Sequence, residues 1–436
     1  MLANLYPIHN QFITSFKDYL EADPHLLALS QLKYQHHFNW WKPLSFIPGI
    51  YILTGGRQIG KSTSCKLLIK HVLEEKLFPP QGIFYLPCDE IYDAKQLAET
   101  LRLILANFVP HERFLLIIDE VTYVKDWDRV IKALADEGHF QQGLCLLTGS
   151  DTLILKEAAM RFPGRRGRAK QTDFHLYPLT FAEYVHLVTN EINPSTKKLS
   201  EFFEQYLQCG GYLRAINDLG ETGAVSPATF MTYEQWIRGD FLKRGKNEDT
   251  LLALLRALLE IGVSQASYST ITQKMGLVTK ETCMDYCRLL QRMDILFDLQ
   301  AFDQNTRQGF PKKARKFHFF DPFIYRTCLN WLQREINQKP EVKESTLVEA
   351  SVASHCYRIA KTFYWKAEGE VDVIWLKNKE VQAIEVKWSE QLRPIDLKIL
   401  KQFKNSLILT KLPYSGVIEE IKSLPVYEFL NIPITL

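Results

Sequence analysis

Short apolar segments alternate with amphipathic segments through the first 150 residues. The apolar runs occupy positions 51–53, 83–87, 114–119 and 145–150. Bounded runs of this length are typical of buried strands. After the first run, apolar side chains recur at helical spacing, at Cys65, Leu68, Ile69 and Val72. Strands that alternate with helices predict an α/β fold with a parallel sheet covered on both faces.

The pattern changes to helical periodicity after Leu179. Helices are predicted over 181–219, and three amphipathic helices are predicted within 249–300. The later segments follow in the order of a hairpin at 299–320, a helix from 346, strands at 370–376 and 381–387, and then a helix and further strands. The chain of 436 residues therefore predicts two to four domains rather than one core.

Composition excludes several classes of protein. Apolar residues make up 46% and charged residues 24%, which disfavours extensive disorder, and the net charge of +3 gives no strong overall signature for nucleic acid or membrane. No run of about 18 apolar residues predicts a membrane span. The N-terminus lacks the features of a signal peptide, and the eight cysteines form no CxxC pair. We therefore expect a reduced, cytoplasmic protein without structural disulfides or a membrane partner.

A phosphate-binding loop follows the first predicted strand. Gly55, Gly60, Lys61 and Ser62 fit the pattern G-x4-G-K-S, with a strand before the pattern and a helix after it. Glycines let backbone amides approach phosphate oxygens, the lysine reaches the β- and γ-phosphates, and the serine hydroxyl ligates Mg²⁺. The residues predicted to bind the nucleotide here are Gly55, Gly56, Arg57, Gln58, Ile59, Gly60, Lys61, Ser62 and Thr63.

A second acidic element accompanies the loop. The apolar run FLLIIDE ends in Asp119 and Glu120. Asp119 is predicted on the Mg²⁺ side of the site together with Ser62, and Glu120 is predicted to polarise the attacking water. An isolated pair of acids after a strand would be read as solvated side chains. With the loop upstream, the two elements predict ATP and Mg²⁺ as cofactors, and hydrolysis rather than binding alone.

Five segments carry a resemblance to a known family. ILTGGRQIGKST, LLIIDEVTYVKDW, CLLTGSD, PGRRGR and LYPLTFAEY, in this order, resemble prokaryotic AAA-type ATPases that have a C-terminal winged helix and a PD-(D/E)xK endonuclease-like domain. The resemblance covers nearly the whole chain after about residue 45. It implies a domain division into an N-terminal helical segment, ATPase core, helical lid, winged helix-turn-helix and nuclease-like domain, at 1–46, 47–180, 181–240, 241–330 and 331–436.

The resemblance also assigns roles beyond the loop. Thr148 and Ser150 take the sensor position between the second acidic element and the γ-phosphate, and Arg214 in GGYLRA is a weaker candidate for a second sensor. Relatives of this type complete their site with an arginine from a neighbouring subunit, which implies a homo-oligomer, with a hexamer among its forms. The candidate arginines are Arg161, Arg165, Arg166 and Arg168. The alternative for this segment is a basic surface loop.

The predicted hairpin after the helix-turn-helix is basic. Arg307, Lys312, Lys313, Arg315 and Lys316 lie within ten residues without an acid. Such a wing suits contact with DNA phosphates. The helix before it carries Arg288 and Arg292 but also Glu281 and Asp285, which is a poor surface for reading a groove. A winged helix used only for packing or for protein contact is the alternative.

The last segment contains the spacing of a nuclease site. Asp372 lies on one predicted strand, Glu385 and Lys387 end the next, and Glu349 lies on the preceding helix. In the resembling family, the acids would hold a divalent metal and the lysine would orient the hydrolytic water. Glu370 beside Asp372 stands in place of the usual proline-aspartate pair, which is a departure from the family pattern at the metal site. Ordinary solvated strand ends are the alternative.

Three functions remain open from the sequence. The favoured one is an AAA-type ATPase that drives a nucleic-acid-binding output, acting on DNA structures such as forks or junctions by shape rather than by sequence. The first alternative is an ATP-dependent signalling switch whose C-terminal modules bind protein. The second is an ATP-gated, metal-dependent DNA endonuclease.

Overall fold

The fold is described from a computed structural model. The described residues are 5–149, 154–155, 162, 164–189, 191, 194–276, 278–336, 341–377, 380–389, 394–411, 413, 415–418 and 420–433. The chain divides into two compact units, Met1–Tyr177 and Pro178–Leu436. Each unit is described by itself.

The first unit is built on a parallel sheet. Its helices are α1 (Phe16–Ala22), α2 (Pro24–Ser30), α3 (Lys61–Glu74), α4 (Ala94–Ala106) and α5 (Trp127–Asp136). Its strands are β1 (Gly49–Gly55), β2 (Ile83–Pro87), β3 (Phe114–Asp119), β4 (Gly143–Thr148) and β5 (Asp173–Leu176). In the described residues the strands form one sheet in the order β2-β3-β4-β1-β5, with every pairing parallel. The predicted α/β fold with a parallel sheet is confirmed.

Burial on both faces explains why the strands are continuously apolar. Every residue of β1, β2, β3 and β4 is buried. One large core cluster joins residues from strands and helices, among them Phe84, Leu101, Leu116, Ile131 and Leu147. A strand with helices on only one face would alternate apolar and polar residues instead. The order of the strands places β4 between β1 and β3, so the carboxyl ends of these three strands meet at one edge of the sheet.

The N-terminal helices pack against α3 through a buried lysine. Ser15 and Asp23 cap α1 and α2. The Lys66 ammonium lies 3.2 Å from Asp23 Oδ2 and 3.5 Å from the centroid of the Tyr85 ring. Burial lowers the pKa of Lys66 to about 8, although Asp23 opposes this shift. The lysine therefore ties the N-terminal segment to both α3 and the sheet.

The second unit begins with helices. These are α6 (Phe181–Thr189), α7 (Thr196–Cys209), α8 (Leu213–Thr222), α9 (Pro227–Lys243), α10 (Glu248–Ile261), α11 (Tyr268–Met275) and α12 (Lys280–Arg292). A two-residue strand, β6 (Gln265–Ala266), lies between α10 and α11, and a hairpin of β7 (Leu296–Asp303) and β8 (Gln308–Phe319) follows α12. The apolar stripe expected on α12 is buried, as Cys283, Tyr286, Cys287 and Leu290 are inaccessible.

The remainder of the second unit adds strands to the hairpin. The elements are α13 (Pro322–Ile336), α14 (Glu344–Ile359), β9 (Lys361–Lys366), β10 (Glu370–Lys377), β11 (Glu380–Lys387), α15 (Pro394–Leu400), β12 (Asn405–Thr410), β13 (Gly416–Ile418), β14 (Ile421–Pro425) and α16 (Val426–Leu430). In the described part of the unit these strands form a nine-stranded sheet, in the order β13-β14-β12-β11-β10-β9-β7-β8-β6. Ala301 of β7 pairs with Tyr364 of β9 in parallel. The predicted hairpin and nuclease-like segments therefore share one sheet, and α13 runs across the predicted boundary at 330.

Two expectations from composition can be compared with the structure. All eight cysteines are buried free thiols. Across the described residues, no helix is both long and apolar enough to cross a bilayer.

Candidate nucleotide site and acidic cluster

The phosphate-binding loop connects the end of β1 to the start of α3. Gly55 has a φ of 152°, and a Cβ at this position would come within 2.6 Å of the Leu176 carbonyl oxygen. Gly60, just before the helix, has a φ of 96°. Both positions therefore require glycine. The loop leads directly into the N-terminus of a 14-residue helix, where unpaired amides favour an anion.

Lys61 lies across its own loop. Its ammonium donates to the carbonyl oxygens of Gly55 at 3.0 Å and Gly56 at 2.9 Å, and it lies 3.7 Å from Glu120 Oε1. The side chain is 4% exposed. Backbone carbonyls are weaker partners for an ammonium than phosphate oxygens, because a carbonyl oxygen carries only a partial negative charge whereas the phosphate group is an anion. The lysine is thus held at the loop by contacts that an anionic ligand can replace.

Thr148 links the two acids at the edge of the sheet. Its hydroxyl donates to Asp119 Oδ1 and accepts the Glu120 amide at 3.0 Å. Glu120 has a φ of 52°, a left-handed conformation that is uncommon for a side chain other than glycine. This turn directs the chain away from β3 immediately after Asp119. The structure therefore brings Lys61, Asp119, Glu120 and Thr148 together, as expected from the sequence.

Tyr85 is a site residue that the sequence did not indicate. It lies on β2, next to β3, and its hydroxyl donates to Asp119 Oδ2. Burial, and after it the charge of Asp119, raises the pKa of Tyr85 well above its ordinary value, whereas a hydrogen bond with Ser62 lowers it. The phenol therefore stays protonated and touches both residues predicted to ligate Mg²⁺. A tyrosine within the apolar run IFYLP was the available signal.

The donor set at this edge suits ATP with Mg²⁺. A hydroxyl from Ser62 and a carboxylate from Asp119 meet at one phenol. Oxygen donors of these kinds, with waters and phosphate oxygens completing the shell, are those that Mg²⁺ prefers. The residues present therefore fit the cofactor that the motif predicts.

The arginine segment lies at the other end of β1. Arg166 donates to both Asp173 oxygens, at 2.7 and 2.9 Å, and Gly167 packs against the Pro48 carbonyl. Pro48 precedes the first residue of β1, and the loop follows the last, so about 20 Å of strand separates them. Arg165 is paired with Asp136. Arg168 is exposed, and no carboxylate in the described residues contacts it.

Ser150 and Arg161 lie outside the described residues. Arg214 is an exposed residue of α8 in the second unit.

The basic hairpin is less basic on its surface than expected. Arg315 pairs with Asp298 at 2.5 Å, and Lys316 is buried with 1% of its side chain exposed. Both lie where β8 pairs with β6 and β7; Lys316 is buried there, whereas Arg315 keeps 21% of its side chain exposed. For Lys316 the predicted phosphate contact was wrong, because a run of charges does not reveal which residues a strand buries. Lys312 and Lys313 are exposed.

Lys316 instead enters the predicted nuclease site. Its ammonium lies 2.9 Å from Glu349 Oε1, 2.7 Å from Glu370 Oε1 and 3.0 Å from Asp372 Oδ1. Asp372 also accepts the Val386 amide at 3.0 Å and donates its own amide to Glu385 at 3.4 Å. The structure therefore brings Glu349, Asp372 and Glu385 together, with a lysine among them that the sequence did not indicate.

Burial dominates the electrostatics of this cluster. It raises the pKa of both Glu349 and Glu385 to about 8, and the charge of Asp372 adds to the shift. Burial also acts to raise the pKa of Asp372, but Lys316 and the Val386 amide outweigh it and lower that pKa. Lys316 and Asp372 therefore favour each other's charged form, since each moves the pKa of the other in that direction.

The fourth predicted residue lies beside the cluster. Lys387 Nζ is 2.7 Å from Glu385 Oε1. Among the described residues, no group of three or more His, Cys, Asp or Glu side chains is arranged to hold a metal ion. The residues present therefore do not fit the divalent metal that the resemblance implies.

Comparison with known proteins agrees with the geometry of the first site. The family model of an AAA domain matches residues 48–185. This stretch contains the loop, the acids and the parallel sheet. Residues 48–185 are a P-loop domain of the AAA type. Two domains of unknown function, DUF8612 and DUF4143, match residues 200–335 and 344–423.

The chain is similar to several individual proteins at low sequence identity. An uncharacterized protein of Methanocaldococcus jannaschii, MJ1637, is 29% identical over 342 residues, which is 72% of this chain and 68% of that protein. The Walker-type ATPase paby2304 of Pyrococcus abyssi is 12% identical, with a TM-score of 0.43 over 64% of this chain and 90% of that one. The ORC2 protein of Aeropyrum pernix is 14% identical, with a TM-score of 0.40 over 69% and 92%. Structural similarities this low support no argument.

Proposed function

We propose that the chain is an AAA-type ATPase that hydrolyses ATP with Mg²⁺ to drive a nucleic-acid-binding output. Its target would be DNA structures such as forks or junctions. The observation that carries the ATPase part is the shared edge of β1, β3 and β4, where Lys61, Asp119, Glu120 and Thr148 converge.

Each residue at this edge has a separate task. Bound Mg²⁺ would neutralise phosphate charge. Lys61 exchanges its carbonyl partners for phosphate oxygens and stabilises the charge that develops on them. Glu120 accepts a proton from, or orients, the attacking water. Thr148 is hydrogen-bonded to both the Glu120 amide and the Asp119 carboxylate. It therefore responds to the phosphate through both acids.

An arginine from a second copy would complete the site. The segment 164–168 begins about 20 Å from the loop of its own chain, along β1. It can therefore act only on the site of a neighbouring copy. Of the described candidates, Arg165 and Arg166 are engaged with Asp136 and Asp173, which favours exposed Arg168. This assignment supports a homo-oligomer.

The exposed stretch of β8 between Phe310 and Arg315, where the pairing with β7 shifts register, supports a nucleic-acid output. Lys312 and Lys313 are exposed, and Lys313 lies 5.4 Å from the ring centroid of Phe310, which is itself exposed. Lysines beside an exposed aromatic ring suit phosphate and base contact. Lys246, between α9 and α10, pairs with Asp285 of α12, so this acid repels phosphate less than its sequence suggests.

Two measurements test the proposal. The first is Mg²⁺-dependent release of phosphate from ATP by the purified chain, and a protein without turnover would exclude the ATPase. The second is binding to fluorescent duplex, forked and single-stranded DNA, with and without ATP.

The hairpin gives the DNA measurement a matched control. The double variant Lys312→Glu with Lys313→Glu should weaken DNA binding at least tenfold. Lys197→Glu with Lys422→Glu makes the same charge change at exposed sites elsewhere in the unit and should not. Equal binding by both double variants, or none by the parent protein, would favour a switch whose C-terminal modules bind protein.

A further inference from the structure

We propose that Lys316 permanently fills the cation position of the acidic cluster, so that the nuclease-like part of the chain binds no divalent metal and cuts no DNA. This inference does not rest on the ATPase proposal. It concerns the cluster of Lys316 with Glu349, Glu370, Asp372 and Glu385, called here the lysine-centred cluster.

The lysine saturates its own hydrogen-bonding capacity in the cluster. An ammonium has three donors and no acceptor. The three carboxylate oxygens within 3.0 Å, one each from Glu349, Glu370 and Asp372, provide one acceptor for each donor. With 1% of the side chain exposed, water contributes little to its solvation. The ammonium is thus fully coordinated by the acids that a metal would need.

Other carboxylate oxygens of the cluster are also engaged. Asp372 Oδ2 accepts the Val386 amide, and Glu385 Oε1 contacts the Lys387 ammonium at 2.7 Å. A magnesium ion requires near-octahedral oxygen ligands at about 2.0–2.1 Å. To provide them here, at least two carboxylates would have to leave partners that already satisfy them.

The backbone prevents the lysine from leaving. Lys316 lies within β8, opposite Gln265 of β6 and Leu299 of β7. The side chain can withdraw only if the hairpin strand shifts, which would break pairing on both sides. A metal that entered without this shift would leave a buried ammonium with no counter-charge, a state that costs several kcal/mol. The cluster is therefore closed by the fold and not by a side-chain rotamer.

The cluster also connects two predicted modules. Lys316 belongs to the hairpin, whereas its acidic partners lie on α14 and β10. One buried lysine thus joins the winged-helix hairpin to the nuclease-like core. This gives the acids a structural use that does not require a metal.

Metal binding tests the proposal directly. Mn²⁺ binding should be followed by electron paramagnetic resonance without nucleotide, in an Asp119→Asn background that removes the candidate nucleotide-site ligand. We expect no bound Mn²⁺ up to about 1 mM, a concentration that fills the weakest ordinary carboxylate sites. Tight Mn²⁺ binding in this background that Asp372→Asn abolishes would overturn the proposal. This measurement uses a protein in which the lysine-centred cluster is unchanged.

A variant that lacks the buried ammonium provides a second test. Lys316→Met removes the cation and keeps an unbranched side chain that is one atom shorter, and it should bind Mn²⁺ at least tenfold more tightly than the parent. Lys361→Met, at an exposed lysine of β9, is the control and should bind as the parent does. If Lys316→Met does not fold, plasmid cleavage decides the matter. The unmodified protein should nick no plasmid with Mg²⁺ or Mn²⁺, and nicking that Asp372→Asn abolishes would overturn the proposal.

Discussion

The nucleotide site and the lysine-centred cluster combine the same kinds of residue in opposite ways. In the first unit, Lys61 is the first residue of a helix and holds two carbonyl oxygens of its own loop. In the second, Lys316 lies inside a sheet strand and holds three carboxylates. Both lysines are buried, and both lie close to acids.

The position of each lysine in its element explains the difference. A lysine at the junction of a loop and a helix can change partners when a ligand arrives, because its present partners are neutral carbonyls. A lysine in a paired strand, whose partners are buried acids, cannot do so without leaving charge uncompensated. Similar side chains therefore suit ligand exchange in one unit and a closed cluster in the other, as we propose.

The largest expected effect is on turnover at the nucleotide site. Lys61→Ala and Glu120→Gln should each lower the ATP hydrolysis rate by about a thousandfold or more, because they remove transition-state contacts. Lys61→Ala should also weaken nucleotide binding, whereas Glu120→Gln should bind ATP normally. Phosphate release and the affinity for a fluorescent ATP analogue measure the two effects. Lys70→Ala, a partly exposed lysine of the same helix, is the control; full turnover by Glu120→Gln would remove its catalytic role.

In the second unit the expected effect is on the free energy of unfolding, and it should be large for Lys316 and small for Lys61. Lys316→Met should lower the free energy of unfolding by about 3–5 kcal/mol, because it leaves buried acids without their cation. Lys61→Ala should change it far less, since Lys61 mainly contacts carbonyls. Urea denaturation followed by circular dichroism measures both. Lys312→Met should stay within about 0.5 kcal/mol of the parent. A Lys316→Met protein as stable as the parent would mean that the cluster contributes nothing to folding.

A smaller but specific effect is expected from the exposed arginine. Arg168→Ala should lower ATP hydrolysis by about a hundredfold and leave nucleotide affinity unchanged, because it acts on transition-state charge in a neighbouring copy. Mixing it with Lys61→Ala should restore part of the activity, since some interfaces pair an intact loop with an intact arginine.

Two results would contradict that assignment. One is a specific activity that does not depend on protein concentration, in a protein that ultracentrifugation shows to be a monomer. The other is an equal loss in Arg129→Ala, an exposed arginine of α5 chosen as the control.

The smallest expected effect concerns acid sensitivity near the cluster. Burial, and next the charge of Lys316, lowers the pKa of His318 to about 3, and neither ring nitrogen has a hydrogen-bond partner in the described structure. Between the ordinary pKa of about 6.5 and this value, the unfolded chain binds a proton that the folded chain does not. The free energy of unfolding should therefore decrease as the pH is lowered below about 6.5.

The matched variant isolates this group. His318→Phe keeps a ring beside Phe297 and removes the titration. Between pH 7 and 5.5, the parent should lose roughly 1 kcal/mol more stability than the variant. Parallel pH profiles for the two proteins would show that His318 titrates normally.

The sequence indicated which residues meet at the candidate nucleotide site more completely than at the cluster, because of where the information lies. Gly55 to Ser62 is a contiguous motif, and Asp119 ends an apolar strand, so local pattern was sufficient. Tyr85 and Lys316 reach their acids from other strands. Their roles depend on strand order and register, which a single sequence does not reveal.

The hairpin shows the same limit. Five basic residues in a row of ten predicted a phosphate-binding wing, but the structure leaves Lys312 and Lys313 exposed and places Lys316 in the sheet. Hydrophobic periodicity gave the parallel sheet and the amphipathic helices. It could not show that β7 of the hairpin pairs with β9, through Ala301 and Tyr364, and so joins the hairpin to the sheet of the C-terminal strands.

One measurement compares the two sites in the same molecule. Crystals grown with Mn²⁺ and a non-hydrolysable ATP analogue would give anomalous scattering from every bound metal. We expect one peak per chain, beside Ser62 and Asp119, and continuous density from Lys316 to the acids of the cluster. A second peak among Glu349, Asp372 and Glu385, with Lys316 displaced, would contradict the distinction between an open nucleotide site and a closed cluster.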